Sequence, residues 1–198
     1  MVIGAEFTER TRSRTGTMRR MNRRVLILGA ILAPAFALAQ PRLALGIKAG
    51  VFYPTDSGLR QAFGDNWTSI GISPVRLEAK NGTRQSTDFA ITARSKNGNR
   101  VFMLRPTFGV SKSFDNRGDG SVVPYVAARA GLAYIDYSIE NTSRRFSGNK
   151  FGFTGNVEFG VVFNQRFAIL ARYDMMPRFD GFNFSGFSLE AAVQVLRF

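Results

Sequence analysis

The chain has 198 residues, the size of one domain, with 44% hydrophobic residues, 19 phenylalanines, 20 glycines and a formal net charge of +13. It contains no cysteine and no histidine, which excludes disulfides, thiolate chemistry, metal sites built on sulfur or imidazole, and every Ser-His or Cys-His nucleophile. The charge does not mark a nucleic-acid binder. Residues 1–39 hold seven Arg and two Glu, and the remaining excess is spread along alternating segments with no basic helix.

The first recognisable element is an export signal, "MNRRVLILGAILAPAFALAQ". Arg23 and Arg24 form a positive start, Val25–Ala33 an apolar run, and Pro34 breaks that run before Ala37-Leu38-Ala39, an A-x-A site followed by Gln40. Cleavage is expected between Ala39 and Gln40. The competing reading, a membrane-anchoring helix, fails on length, since Val25–Ala39 is 15 residues and carries a proline. No Cys follows the site, so a lipoprotein anchor is excluded. Met18 or Met21 is the expected start, with residues 1–17 an N-terminal extension. Residues 1–39 are thus extension plus signal peptide, and 40–198 one domain.

From Gln40 onward the apolar residues recur with period 2, not 3.6. In "LALGIKAGVFY", Leu43, Leu45, Ile47, Ala49, Val51 and Tyr53 share one face, against Ala44, Gly46, Lys48, Gly50 and Phe52. In "RVFMLRPTFGVSKSF", Phe102, Leu104, Phe108, Val110 and Phe114 oppose Met103, Arg105, Thr107, Gly109 and Ser111. "KFGFTGNVEFGVVF" and "QRFAILARYDM" repeat the pattern. Eight segments result, near 43–53, 68–80, 85–96, 100–115, 121–137, 150–163, 166–176 and 182–198. Several hold ten or more residues, the length a tilted strand needs to cross a bilayer. The second changes phase at Pro74, where a bulge is expected.

The connections come next. Thr55 or Asp56 is placed to cap a brief helix in the first, and Asn81-Gly82 and Asn97-Gly98 read as tight turns because both residue types accept positive φ. Residues 54–67, 138–149 and 177–183 read as longer loops at one end, with short turns at the other. The sequons at Asn66, Asn81, Asn141 and Asn183 are taken as composition.

The signal, the eight alternating strands, "PYVAARAGLAY" (Pro124–Tyr134) and the terminal Phe198 together resemble the small outer-membrane β-barrels of diderm bacteria, the OmpA/OmpX-like superfamily. The resemblance covers Leu43–Phe198. It implies an all-β fold, an eight-stranded antiparallel up-and-down transmembrane barrel in the bacterial outer membrane, with both termini periplasmic. It also implies that Phe198 is the recognition element for the barrel-assembly machinery. Leu189, Ala191, Val193 and Val195 lie on the phase opposite Phe198, so a bulge near Val195–Leu196 is expected.

A soluble exported barrel holding a small apolar ligand has the same alternation turned inside out. The barrel reading is preferred because the glycines, among them Gly46, Gly50, Gly109, Gly131, Gly152 and Gly160, suit a crowded interior, and phenylalanines on every strand suit lipid. The interior then carries Lys48, Arg76, Glu78, Asp88, Arg94, Arg105, Arg129, Glu158 and Arg172. Mutual ion pairs are one reading of that set; a gated, weakly anion-preferring pore lined by surplus arginine is the other. Barrel enzymes of this architecture use a catalytic His that this chain lacks, and Asp136, Asp174 and Glu158 have no telling spacing, so no enzyme, metal or cofactor is expected. The expected role is structural or surface-interacting, as a monomer without nucleic acid. Arg144, Arg145, Lys150 and Arg178 lie at the outer rim, where cations would meet lipopolysaccharide phosphates.

Overall fold

The computed structural model describes residues 44–73, 82–115, 121–141 and 144–197. In chain order the elements are β1 (Ala44–Pro54), α1 (Ser57–Phe63), β2 (Trp67–Ser73), β3 (Gly82–Lys96), β4 (Asn99–Ser113), β5 (Val122–Asn141), β6 (Arg144–Phe163), β7 (Phe167–Met175), the short pair β8 (Arg178–Phe179) and β9 (Phe182–Asn183), and β10 (Gly186–Arg197). Eight of the strands close a barrel in the order β1-β10-β7-β6-β5-β4-β3-β2, every pair antiparallel, and β8 and β9 form a separate hairpin. The eight alternating segments are these eight strands.

Alternation decides the orientation of each strand. On β6 the apolar phase faces outward, with Phe151 64%, Phe153 85% and Phe159 56% exposed, while Thr154, Asn156 and Glu158 are buried. The same holds on β7, where Phe167, Ile169 and Met175 are exposed and Ala168, Leu170, Arg172 and Asp174 are buried. An inside-out soluble barrel, with phenylalanines packed in the centre, is thereby ruled out. The outward run from Phe151 to Phe163 rises roughly 30 Å along the axis, at ~3.3 Å per residue and a tilt of about 40°, which matches a hydrocarbon core. Tyr134 and Phe151 pair with ring centroids 4.9 Å apart at its upper edge, where the outward residues turn polar at Asp136 and Asn149.

The tight turn expected at Asn97-Gly98 is present, whereas Asn81 lies outside the described residues. Asn97 (φ 50°) and Gly98 (φ 79°) join β3 to β4, and Asp180 (φ 50°) and Gly181 (φ 87°) join β8 to β9. Asp56 caps α1, its Oδ1 accepting from the Leu59 N–H at 3.0 Å. The expected bulge near the C-terminus is present: Leu45 faces Leu196 but Gly46 faces Gln194, so Val195 is the extra residue on β10. Pro74, with its phase switch, and Phe198 lie outside the described residues, as does the signal segment with Ala39 and Gln40.

One expected loop is corrected. Residues 138–149 are mostly strand, because β5 runs to Asn141 and β6 begins at Arg144. Outward Glu140, Arg145, Ser147 and Asn149 are polar there because this ribbon stands above the apolar belt, and they hid the alternation. On its inward phase Ile139 is buried and Phe146 is packed against the core.

Candidate functional site

The interior is filled in three layers. At the loop end, Phe52, Trp67, Met103, Ile135, Tyr137 and Phe184 form an apolar cluster into which α1 drops Leu59 and Phe63. Phe179, Phe182 and Phe146 cover it, Phe146 and Phe182 meeting edge to face at 5.6 Å. At the end where the chain enters and leaves the barrel, Val123, Tyr125, Val162, Ala168, Leu170 and Ala192 make a second apolar cluster.

Between them lies an ionic layer. Lys48, Arg105, Arg129 and Arg172 meet Asp88, Glu158, Asp174 and Glu190, all buried. The Lys48 ammonium reaches Asp88 Oδ1 at 2.6 Å and Glu190 Oε2 at 3.2 Å, and is the partner of both oxygens. Arg172 joins three carboxylates: Asp88 at 3.0 Å, Asp174 at 3.0 Å and Glu190 at 3.1 Å. Arg129 donates twice to Glu158, at 3.1 Å each, and through Nε to Ser86 at 2.7 Å. Arg105 holds Asp174 at 2.7 Å and donates to Thr92, while its guanidinium carbon lies 5.3 Å from the centroid of the Phe52 ring. Ser69 donates to Glu190 at 2.6 Å and Tyr125 to Glu158 at 3.0 Å. Each of these buried charges faces an opposite one, the condition under which such charges are tolerated. Hydroxyls of Ser69, Ser86, Thr92 and Tyr125 add partners to four of them, while Arg105 Nε has no hydrogen-bond partner among the described residues.

Four cations against four carboxylates leave no surplus in this layer among the described residues. Lys48, Asp88, Arg105, Arg129, Glu158 and Arg172 sit where alternation puts them. Arg94 does not join them: it is half-buried at the loop end, where its Nε donates to the Phe63 carbonyl at 3.1 Å and closes the end of α1. Arg76 and Glu78 lie outside the described residues. Glu190 and Asp174 were overlooked as counter-charges, although their phase was readable, since Glu190 alternates with Leu189 and Asp174 shares the phase of Arg172. Their partners lie on other strands, which no local spacing reveals.

Close packing leaves little room. A Cβ at Gly71 would lie 2.6 Å from Lys48 Cε, and one at Gly160 would lie 2.5 Å from the Tyr125 ring. A cavity of about 20 Å³ remains beside Lys48, Tyr125 and Glu158, space for one water.

The loop end carries the exposed polar surface. Arg145 and Arg178 are exposed, Lys150 is half-buried with its ammonium 3.9 Å from Asp180, and Arg144 opens β6. Asp180 also accepts from the Tyr137 hydroxyl. β6 pairs with β7 only from Gly155 onward, so residues 144–154 are laddered to β5 alone. Pro177 and Phe179 pack over Gly152 on that side, and above them the flank of the ribbon is an open strand edge among the described residues.

No protein-family model matches the sequence, and no curated protein matches it. Among solved structures, the chain is similar to Ail, the attachment invasion locus protein of Yersinia pestis, at 17% identity and a TM-score of 0.50, covering 81% of this chain and all of that one. It is also similar to the N-terminal β-barrel domain of Pseudomonas aeruginosa OprF (16%, 0.47, 80% and 100%) and to the outer membrane enzyme PagL (13%, 0.44, 76% and 99%). The chain has the fold of a small outer-membrane β-barrel. That fold hosts more than one activity, so the role has to be argued from the site.

Proposed function

We propose that the mature chain is a non-enzymatic outer-membrane barrel whose work is done at its loop end, as a surface structural and interaction element. What carries this reading is the interior: two apolar clusters enclose an ionic layer whose charges are neutralised in place, so among the described residues neither a continuous water path nor a free acid, base or nucleophile is offered there. The elaborate end, with α1, the β5–β6 ribbon and the β8–β9 hairpin, faces outward, and the end bearing both termini is periplasmic, the usual disposition of long and short connections.

At that outer end the positions of Arg144, Arg145 and Lys150 on the ribbon and of Arg178 on the hairpin suit lipopolysaccharide phosphates or another anionic partner. Each contact contributes about 0–1 kcal/mol and weakens with salt. The open edge of β6 adds backbone donors and acceptors for an extended segment of a partner.

The rival reading is a small anion-preferring pore. Planar-bilayer recording of the purified, refolded protein separates them. Silence is expected for the wild type, and reproducible anion-selective openings that change on Arg129→Ala or Arg172→Ala would overturn the closed-barrel reading.

A further inference from the structure

The lipid-facing surface is not uniformly apolar. On β3, Thr83 and Gln85 point outward and are exposed, and their cross-strand neighbours on β4 are Lys112 and Val110. Lys112 is itself exposed and outward, set between Val110 and Phe114, two exposed apolar residues of the same phase. Its ammonium lies 5.5 Å from the centroid of the Phe114 ring, which draws the charge toward the terminal end of the barrel. A hydroxyl, an amide and an ammonium thus form a polar notch in the belt.

From this notch an apolar groove of about 560 Å³ runs across β4, β5, β6, β7 and β10. Small Ala128 and Ala171 make room in it between the larger Val126, Val157 and Phe159. It begins at Lys112, one residue from the terminal-end limit of β4, and reaches Phe187, one residue from the loop-end limit of β10. Strand tilt makes this row climb from one side of the belt toward the other.

An occupant must carry a phosphate-like anion at one end and a hydrocarbon chain at the other. The notch faces the leaflet at the terminal end, and a charge on the lipid face is tolerated best when it reaches that interface or meets a counter-charge. We infer that the barrel holds one anionic glycerophospholipid of that leaflet, its phosphate at Lys112, Thr83 and Gln85 and one acyl chain in the Ala128–Ala171 groove. This rests on the membrane-barrel reading and on the periplasmic placement of the terminal end, but not on whether the interior conducts. The groove is shallow and open to the bilayer, so shape and head-group charge select the lipid, while burial of hydrocarbon gives no advantage over surrounding chains.

The test is native mass spectrometry of the full chain released from nanodiscs of phosphatidylethanolamine and phosphatidylglycerol, with folding checked by heat-modifiable gel mobility. One retained phosphatidylglycerol is expected for the wild type. Ala128→Phe, which fills the groove on the outer surface, should abolish retention while the barrel stays folded. Lys112→Gln should lower retention of phosphatidylglycerol roughly two- to fivefold, the worth of one partly exposed charged contact, and Lys112→Arg should restore it. Absence of bound lipid in the wild type, equal retention of both phospholipids, or full retention in folded Ala128→Phe would each overturn the inference. Selective retention of lipopolysaccharide over phosphatidylglycerol, in discs containing both, would overturn it too, since that lipid belongs to the other leaflet.

Discussion

At the scale of single residues, the decisive contacts are those of Arg172. Its guanidinium is shared by Asp88, Asp174 and Glu190, and Lys48 bridges two of the same carboxylates. Removing one member of a buried ionic network leaves its partners charged in a medium that cannot solvate them, a cost of about 3–5 kcal/mol. Arg172→Ala is therefore expected to lose that much in urea unfolding measured in lipid vesicles, whereas Arg145→Ala, on the exposed ribbon, should stay within about 0.5 kcal/mol. Equal, small effects would mean that the ionic layer is hydrated and that the barrel is not closed. Most of this layer was legible: alternation alone put Lys48, Arg105, Arg129, Glu158 and Arg172 inside. The pairing was not, because Lys48 and Glu190 meet only when the last strand closes on the first. Without Glu190 and Asp174 the interior read as surplus arginine, and with them it balances.

At the scale of elements, period 2 and turn chemistry were enough to find all eight strands. Where the reading stopped short, the solvent had changed along the strand. β5 and β6 leave the apolar belt near Tyr134 and Phe151, and beyond that line their outward residues become Glu, Arg, Ser and Asn while the backbone ladder continues. A polar run at 138–149 therefore looks like a loop although it is a two-stranded ribbon. The C-terminal strand gave the opposite experience. The clash of phase between Val195 and Phe198 called for a bulge, and the register of β10 against β1 contains one at Val195. The resemblance to small outer-membrane barrels makes Phe198, outside the described residues, the expected assembly signal. Phe198→Lys is expected to block assembly and leave unfolded chain in the periplasm, read out as loss of the heat-modifiable band in outer-membrane fractions. Wild-type amounts of folded protein would show that the terminal aromatic has no such role.

At the scale of the whole molecule, the chain divides its charge by environment. Among the described residues, charges inside are paired, charges at the loop end face solvent, and the belt between is mostly Phe, Val, Ile and Leu, interrupted at Thr83, Gln85 and Lys112. Export must precede this arrangement, so the mature protein is expected to begin at Gln40, and N-terminal mass analysis of outer-membrane material checks it. Retention of Val25–Ala39 on the mature chain would contradict cleavage. The central claim is that phenylalanines face lipid around a closed interior, and the protein carries its own probe for that, because Trp67 is its one tryptophan and is fully buried in the loop-end cluster. Brominated acyl chains quench indole only on contact. In vesicles of brominated lipid, native Trp67 should emit in the blue and escape quenching by both the lipid and aqueous iodide. A Trp67→Phe/Phe153→Trp variant should be strongly quenched by the lipid. Quenching of Trp67 by bromolipid, with the indole at position 153 left untouched, would contradict the barrel as described.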